Sequence, residues 1–358
     1  MKKTKKRALR ARTWAACAAI SALVYFGSAR AWSQTYTYET LHSFNGGSEG
    51  SQAGGLLRDG AGNLYGTTVI GGAIGHSRGT IFKIGPTGEE TVLYDFTGGA
   101  DGANPSGPLV IDAEGNLYGT TTEGGDLSES NTGLGVVFKI DPFSQMTTLY
   151  AFTGGLDGGR PEWGVVLDEA GNLYGTTYEG GLKCPFAVDF GCGVIFKINA
   201  AGGETVVHEF TGGEDGAVPS GGLVLDSSGN LYGTNTLGAR AYGSVFEITP
   251  TGGSIALYNF SEDATPSNGV VLSSTGHLYG TASGGGMGLY GSVYFLIPGG
   301  EFGKLHKFTG GADGSGPGPL LVTASGVVYG RRRGEAVVRM FAPTGAGSCL
   351  SCWRRMRQ

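Results

Sequence analysis

The sequence predicts an all-β fold: a six-bladed β-propeller of four-stranded blades, closed by its N-terminal strand. Three observations lead there. One phrase, Asn-Leu-Tyr-Gly-Thr-Thr with variants, recurs at residues 63–68, 116–121, 172–177, 230–235, 277–282 and 327–332. The first positions of these copies are 53, 56, 58, 47 and 50 residues apart, a period typical of propeller blades and related arrays. Short apolar runs between turn residues fill each period, with no helical repeat. Another all-β repeat array is the alternative architecture. Glycine supplies 70 of 358 residues in no triplet pattern, and 40% hydrophobic residues keep the chain globular. Many tight turns and close backbone contacts account for such a share.

The elements follow in chain order. Lys2, Lys3, Lys5, Lys6, Arg7, Arg10 and Arg12 form a basic head, residues 14–26 an apolar stretch, and Ala29-Arg30-Ala31 a small-x-small site. Residues 1–31 therefore read as a secretory signal peptide, cut after Ala31 or, failing that, Ser33. Cys17 lies too early in the stretch for lipid attachment, and the stretch is shorter than the ~20 residues a transmembrane helix needs. The expected product is exported, either secreted or held in the periplasm or cell envelope, with no transmembrane segment in the mature chain.

Residues 32–345 hold the six repeats of about fifty residues. In the second, strands are expected at 108–111, 116–121, 136–140 and 148–152. Fourth-strand patterns stand at 41–44, 93–96, 149–152, 207–210, 257–260 and 305–308. The first precedes any first strand and the sixth repeat lacks a fourth, so residues 41–44 are expected to complete the last blade and close the ring. One fourth-strand position reads His42, Tyr94, Tyr150, His208, Tyr258 and His306; packing between blades explains it better than one shared metal. The phrase tyrosines Tyr65, Tyr118, Tyr174, Tyr232, Tyr279 and Tyr329 are expected to form an aromatic ladder, each beside a glycine that permits close packing. After Gly330 the phrase breaks into Arg331-Arg332-Arg333. Residues 346–358 are a basic tail, read as a degenerate repeat end or a shifted reading frame.

Charge excludes some partners. The signal segment holds eight of the 25 basic residues, which leaves 17 against 30 acidic ones, a net of −13. Residues 32–330 alone carry 10 basic and 29 acidic residues, a net of −19. So acidic a body repels nucleic acid. Cys184 and Cys192 flank a short loop and are expected to pair, as an exported protein permits. Cys349 and Cys352 form a Cys-x-x-Cys with no βαβ context and are not read as a redox motif.

The element Gly222-Leu223-Val224-Leu225-Asp226, its variants at 55–57 and 164–166, the phrase itself, Phe96-Thr97-Gly98-Gly99 and Val137-Phe138-Lys139-Ile140 resemble the GloVer tandem repeat of exported bacterial "choice-of-anchor" proteins. The resemblance covers residues 39 to about 330 and implies an exported, propeller-like repeat protein. It implies no activity and no catalytic residue.

The connections from fourth to first strand and from second to third should emerge at one end, with long loops at 69–78, 123–135, 178–193, 235–242 and 282–290. A second phrase, Gly-Gly-x-Asp-Gly, sets Asp101, Asp157, Asp215 and Asp313 at equivalent points there, with Glu49 and Asp263 in looser copies. Each Asp either fixes its own turn or helps bind calcium, which takes six to eight oxygen ligands. No other cofactor is expected. Arg160, Glu162 and Trp163 break the repeat in one loop, and Tyr178, Phe186 and Phe190 lie by the Cys184–Cys192 loop. They offer a surface for a sugar or peptide, or else pack that loop. The leading expectation is a monomeric, non-enzymatic binding propeller with a glycan, peptide or surface partner outside the cytoplasm. A propeller lyase or hydrolase acting on a polysaccharide or lactone is the second reading, and a structural envelope component the third. Histidine and arginine are scarce in the repeat body, which weighs against acid–base chemistry.

Overall fold

The computed structural model describes residues 40–73, 77–128, 132–185, 190–238, 242–261, 264–284, 290–311, 313–324, 326–332 and 335–341. The expected signal peptide, the tail with Cys349 and Cys352, Phe186 and Asp263 lie outside the described residues. The chain divides into Met1–Leu41 and His42–Gln358. Of the first unit only Thr40 and Leu41 are described, both exposed.

The described residues of the second unit hold β-strands and one 3₁₀ turn, Gly47–Glu49. Its described strands form six antiparallel sheets, one after another along the chain. In the second sheet Ala103–Ile111, Leu117–Glu123, Val136–Ile140 and Met146–Ala151 pair in sequence order. The fourth sheet repeats this with Ala217–Leu225, Leu231–Leu237, Ser244–Ile248 and Ser254–Asn259, and the fifth with Ala264–Leu272, Leu278–Gly284, Ser292–Leu296 and Phe302–Lys307. In the first sheet Ser51–Ala53 and Leu57–Arg58 both pair with Leu64–Ile70, which Thr80–Ile84 and Glu90–Asp95 follow. The third opens on a two-residue strand, Val166–Leu167, before Leu173–Thr176, Val194–Ile198 and Glu204–Glu209. The sixth has three described strands, Pro317–Val322, Val327–Arg332 and Glu335–Phe341.

The third strands show why this sequence makes such sheets. Val137 and Phe138 are both fully buried although successive strand residues point to opposite faces. Phe138 packs with Ile81 and Phe96 of the preceding sheet, and Val137 with Val165, Leu173 and Phe196 of the following one. Apolar residues on both faces leave a strand only one stable place, between two other sheets. The same division gives five separate cores, one at each junction of consecutive sheets. Aromatic pairs mark these junctions: Phe96–Phe138, Phe152–Phe196, Phe210–Phe246 and Phe260–Tyr294, with ring centroids 5.3, 5.0, 5.2 and 5.3 Å apart.

This corrects one expectation. The aromatic ladder runs through fourth-strand and third-strand phenylalanines, not through the phrase tyrosines. Tyr118 gives its hydroxyl to Asp112 (2.8 Å) and its ring lies under Lys139. The glycine after it is the floor on which Phe138 rests: a Cβ at Gly119 would lie 2.6 Å from Phe138 Cζ. The closing strand also differs. Residues 41–44 are in no described strand. Phe44 nonetheless meets Phe82 at 4.7 Å and His42 at 4.8 Å, the contacts that Phe96 makes with Phe138 and Tyr94.

Candidate functional site

The repeated polar residues are largely occupied with holding turns. The hairpin between first and second strands is Asp-x-x-Gly-Asn. Asp112 accepts from the Asn116 backbone N–H at 2.8 Å, from Asn116 Nδ2 at 2.7 Å and from Tyr118. Asp59, Asp168 and Asp226 make the same three contacts with Asn63 and Tyr65, Asn172 and Tyr174, and Asn230 and Tyr232. Burial pushes the Asp112, Asp168 and Asp226 carboxyls up, but the donated hydrogen bonds outweigh it and leave them below the ordinary value. Tyr118 and Tyr232 are pushed up to about 12 by burial and their Asp partners. The Asn-Leu-Tyr phrase and Asp226 are visible in the sequence as separate pieces; the bond from the aspartate four residues earlier to each asparagine and tyrosine is not.

The second aspartate set is similarly engaged. Asp157 accepts from the Thr153 N–H (2.8 Å), Thr153 Oγ1 (2.7 Å) and Tyr150 OH (3.0 Å). Asp101 has the same partners in Thr97 and Tyr94, while Asp215 and Asp313 pair with Thr211 and His208, and Thr309 and His306. Both carboxylate oxygens of each therefore serve the loop that carries them. That loop bonds to the next sheet's second-to-third connection, through Gly125 N–H to Gly99 O at 2.8 Å and Gly181 N–H to Gly155 O at 3.0 Å. The two sets of long connections thus share one end of each junction. Their approach is close enough that a Cβ at Gly124 would lie 2.4 Å from Gly102 Cα.

The third sheet departs from this pattern. Where the second sheet has Asn104, Pro105 and Ser106 inside its first strand, the third has Arg160, Pro161 and Glu162 outside any long strand. Arg160 holds φ 52°, as Asn104 (55°) and Val218 (57°) do at the equivalent positions. There each backbone N–H clips onto the preceding sheet: Asn104 to Arg78 O, Arg160 to Leu134 O and Val218 to Cys192 O, at 2.7, 2.7 and 2.9 Å. The strained backbone is thus scaffolding, and the side chain it carries is free to vary. An arginine here reaches Glu179, Nη1 to Oε1 3.4 Å. Its Nε is buried with no hydrogen-bond partner among the described residues. Burial pushes the Glu162 carboxyl up, Arg160 pulls it down and Glu179 adds to the rise. One cation and two carboxylates therefore share a partly dehydrated spot.

Aromatic groups are tied to that spot by backbone. The Tyr178 and Glu179 N–H groups donate to Arg160 O and Gly159 O, and Gly180 N–H donates to Phe190 O. Tyr178 is 36% exposed and Phe190 61%. Trp163 is half-buried, and its carbonyl accepts from Thr120 of the second sheet. Cys184 and Cys192 are joined by a disulfide, Cα atoms 4.8 Å apart, that closes the loop carrying Phe190. The structure thus brings Arg160 and Glu162 together with Glu179, and links Tyr178 and Phe190 to them through backbone hydrogen bonds. Another arginine–carboxylate pair, Arg78 Nη1 to Glu123 Oε2 at 3.6 Å, uses the glutamate equivalent to Glu179 one sheet earlier.

The Gloeobacter/Verrucomicrobia repeat matches the chain at residues 31–236 and 128–337. No curated protein matches it. Among solved structures it is similar to a catalytically inactive virginiamycin B lyase from Staphylococcus aureus with quinupristin, at 14% identity and TM-score 0.54, over 81% of this chain and 84% of that one. It is also similar to the PQQ-bound aldose sugar dehydrogenase of Streptomyces coelicolor, at 15% identity and TM-score 0.51, over 81% and 93%. At these identities the likeness concerns fold alone, and the fold is propeller-like. The described residues contain no helix long and apolar enough to cross a membrane.

Proposed function

The chain belongs to the Gloeobacter/Verrucomicrobia repeat family, and from that premise we propose that it is an exported binding protein that takes an oxygen-rich ligand, a glycan or peptide, at the Arg160 cluster. The observation that carries this reading is the buried Nε of Arg160, without a hydrogen-bond partner among the described residues, on a segment whose backbone pairs with that of exposed Tyr178. A buried donor without an acceptor is costly, and a ligand carboxylate or hydroxyl would supply the missing partner while the rings stack on its apolar face. The scaffold is proposed to be six-bladed, with residues 41–44 as the outer strand of the last blade. Support comes from Phe44, which meets Phe82 as a fourth-strand phenylalanine does. Export is supported by the signal-like N-terminus and the Cys184–Cys192 disulfide. Calcium at the Asp101, Asp157, Asp215 and Asp313 loops remains an expectation that thermal unfolding with calcium and then chelator would check.

The test is calorimetric titration of the full chain with acidic oligosaccharides and acidic peptides, wild type against Arg160→Asn. Asparagine tolerates φ 52° better than arginine, so the variant is expected to fold at least as stably while losing tenfold or more in affinity. Equal affinity in both proteins would remove Arg160 from the site and the proposal with it.

One observation favours the second reading, a lyase or hydrolase acting on a polysaccharide or lactone. Burial raises the Glu162 carboxyl beside Arg160, as a general acid requires. Turnover of such substrates by the wild type and its loss in Glu162→Gln would establish that activity; absence of turnover leaves binding alone.

A further inference from the structure

A different cluster lies where the N-terminal segment meets the first sheet. His42 Nε2, from the segment that ends at Phe44, lies 3.5 Å from Oε2 of Glu49 in the 3₁₀ turn. Glu90, the first residue of the strand Glu90–Asp95, completes a set whose donor atoms all lie within 4.8 Å of one another. His42 Nε2, Glu49 Oε2 and Glu90 Oε1 are each sequestered from solvent without a hydrogen-bond partner among the described residues.

The repeat provides its own controls. At the equivalent register the second junction has Tyr94, Asp101 and Met146, and there tyrosine donates to aspartate at 3.0 Å. The third has Tyr150, Asp157 and Glu204, again with the tyrosine–aspartate bond. The fourth has His208, Asp215 and Ser254, with histidine and aspartate at 3.2 Å. In the fifth Tyr258 stacks on Phe302 at 3.6 Å. Among the described residues of these five, the first alone brings an imidazole against two carboxylates, and there the hydrogen bond of the second, third and fourth is missing. Three polar atoms shielded together without a hydrogen-bond partner are costly to bury unless a shared partner lies between them.

We propose that His42, Glu49 and Glu90 bind a divalent transition-metal ion of the zinc type. One imidazole nitrogen and two carboxylate oxygens form a borderline donor set, and three protein ligands plus water complete a zinc coordination sphere. Two ligands about 2.1 Å from zinc in tetrahedral geometry stand roughly 3.4 Å apart, close to the His42–Glu49 separation. Calcium is disfavoured, since it asks for six to eight oxygens. The bound ion fastens the N-terminal segment and the 3₁₀ turn to the first sheet, and does so without drawing on the Arg160 cluster.

The test uses the full chain carrying Cys349→Ser and Cys352→Ser, so that the tail thiols cannot bind the metal. After chelator treatment it is dialysed against micromolar zinc, and bound metal is counted by atomic emission. About one zinc per chain is expected, lost in His42→Ala and in Glu90→Gln and retained in His208→Ala. Cobalt in place of zinc should give visible absorption bands that vanish in the same two variants. Circular dichroism of Glu90→Gln, which preserves shape, separates loss of the site from loss of the fold. Zinc content unchanged by either substitution, no retained zinc in the parent, or displacement of the ion by equimolar calcium would each overturn the assignment.

Discussion

At the scale of single residues, the site is defined by what one arginine finds around it. Arg160 occupies a position where the backbone is left-handed whatever the side chain, so its identity costs the fold little and is available for recognition. Glu162 is the residue whose ionisation should reveal the cluster. Its folded carboxyl lies above the ordinary value because burial outweighs the pull of Arg160. The folded state therefore holds its proton to higher pH than the unfolded state does, and stability falls as pH rises through that interval. Glu162→Gln removes the effect. It should be more stable than the wild type at pH 7 and indistinguishable near pH 3, measured by urea unfolding at both values. A variant less stable at pH 7 would mean that Glu162 is held ionised by Arg160.

At the scale of the strand and sheet, each letter of the recurring phrase has a separate physical task. In the second copy Asn116 and Tyr118 bond Asp112, Leu117 enters a core, Gly119 lies under Phe138, and Thr120 and Thr121 are buried with their hydroxyls on backbone carbonyls. The glycine is needed for space: Gly119→Ala forces a methyl group onto a fully buried ring and should cost about 1–3 kcal/mol, as overpacking does. Gly222 supplies the contrast, since a Cβ there meets nothing within 4 Å and its φ lies outside the left-handed region. Gly222→Ala should fall within about 0.5 kcal/mol of wild type. Chemical denaturation of the two variants checks both figures. The four-strand repeat was legible because apolar runs and Gly-containing turns recur at fixed offsets. The aspartate–asparagine–tyrosine bonding was not, because Asp112 and Tyr118 look like independent turn and core residues until the hairpin sets them face to face.

At the scale of the whole molecule, the described residues form five cores, each between neighbouring sheets. Stability of such an array is a sum over junctions, and an end that lacks a neighbour is its weak point. Residues 42–44 bear on one such end, with Phe44 over Phe82. A chain starting at Asn45 should lose the Phe44 packing, about 2–3 kcal/mol, and should melt several degrees lower. Scanning calorimetry would show it, and an unchanged melting temperature would mean that these residues add nothing to the fold and would undercut the six-bladed closure proposed above. The net of −19 over residues 32–330, 10 basic against 29 acidic, acts at this scale too. It gives the few cations of the repeat body, Arg160 among them, a strongly negative setting.

By itself the sequence determined the all-β class, the period and the strand order, because these follow from local patterns repeated along the chain. It also marked Arg160, Glu162 and Trp163 as a departure from the repeat, with Tyr178, Phe186 and Phe190 by the Cys184–Cys192 loop, which comparison of the copies suffices to find. Tertiary structure decided the rest. It moved the aromatic ladder from the tyrosines to the phenylalanines, joined Glu179 to Arg160 across 3.4 Å, and set Glu90 against His42 and Glu49. Those partners lie 19 to 48 positions apart in the chain. Arg160 and Glu179 meet where two distant segments of the third sheet pair, and Glu90 meets His42 and Glu49 where the N-terminal segment and the 3₁₀ turn lie against the first sheet; no local pattern encodes either.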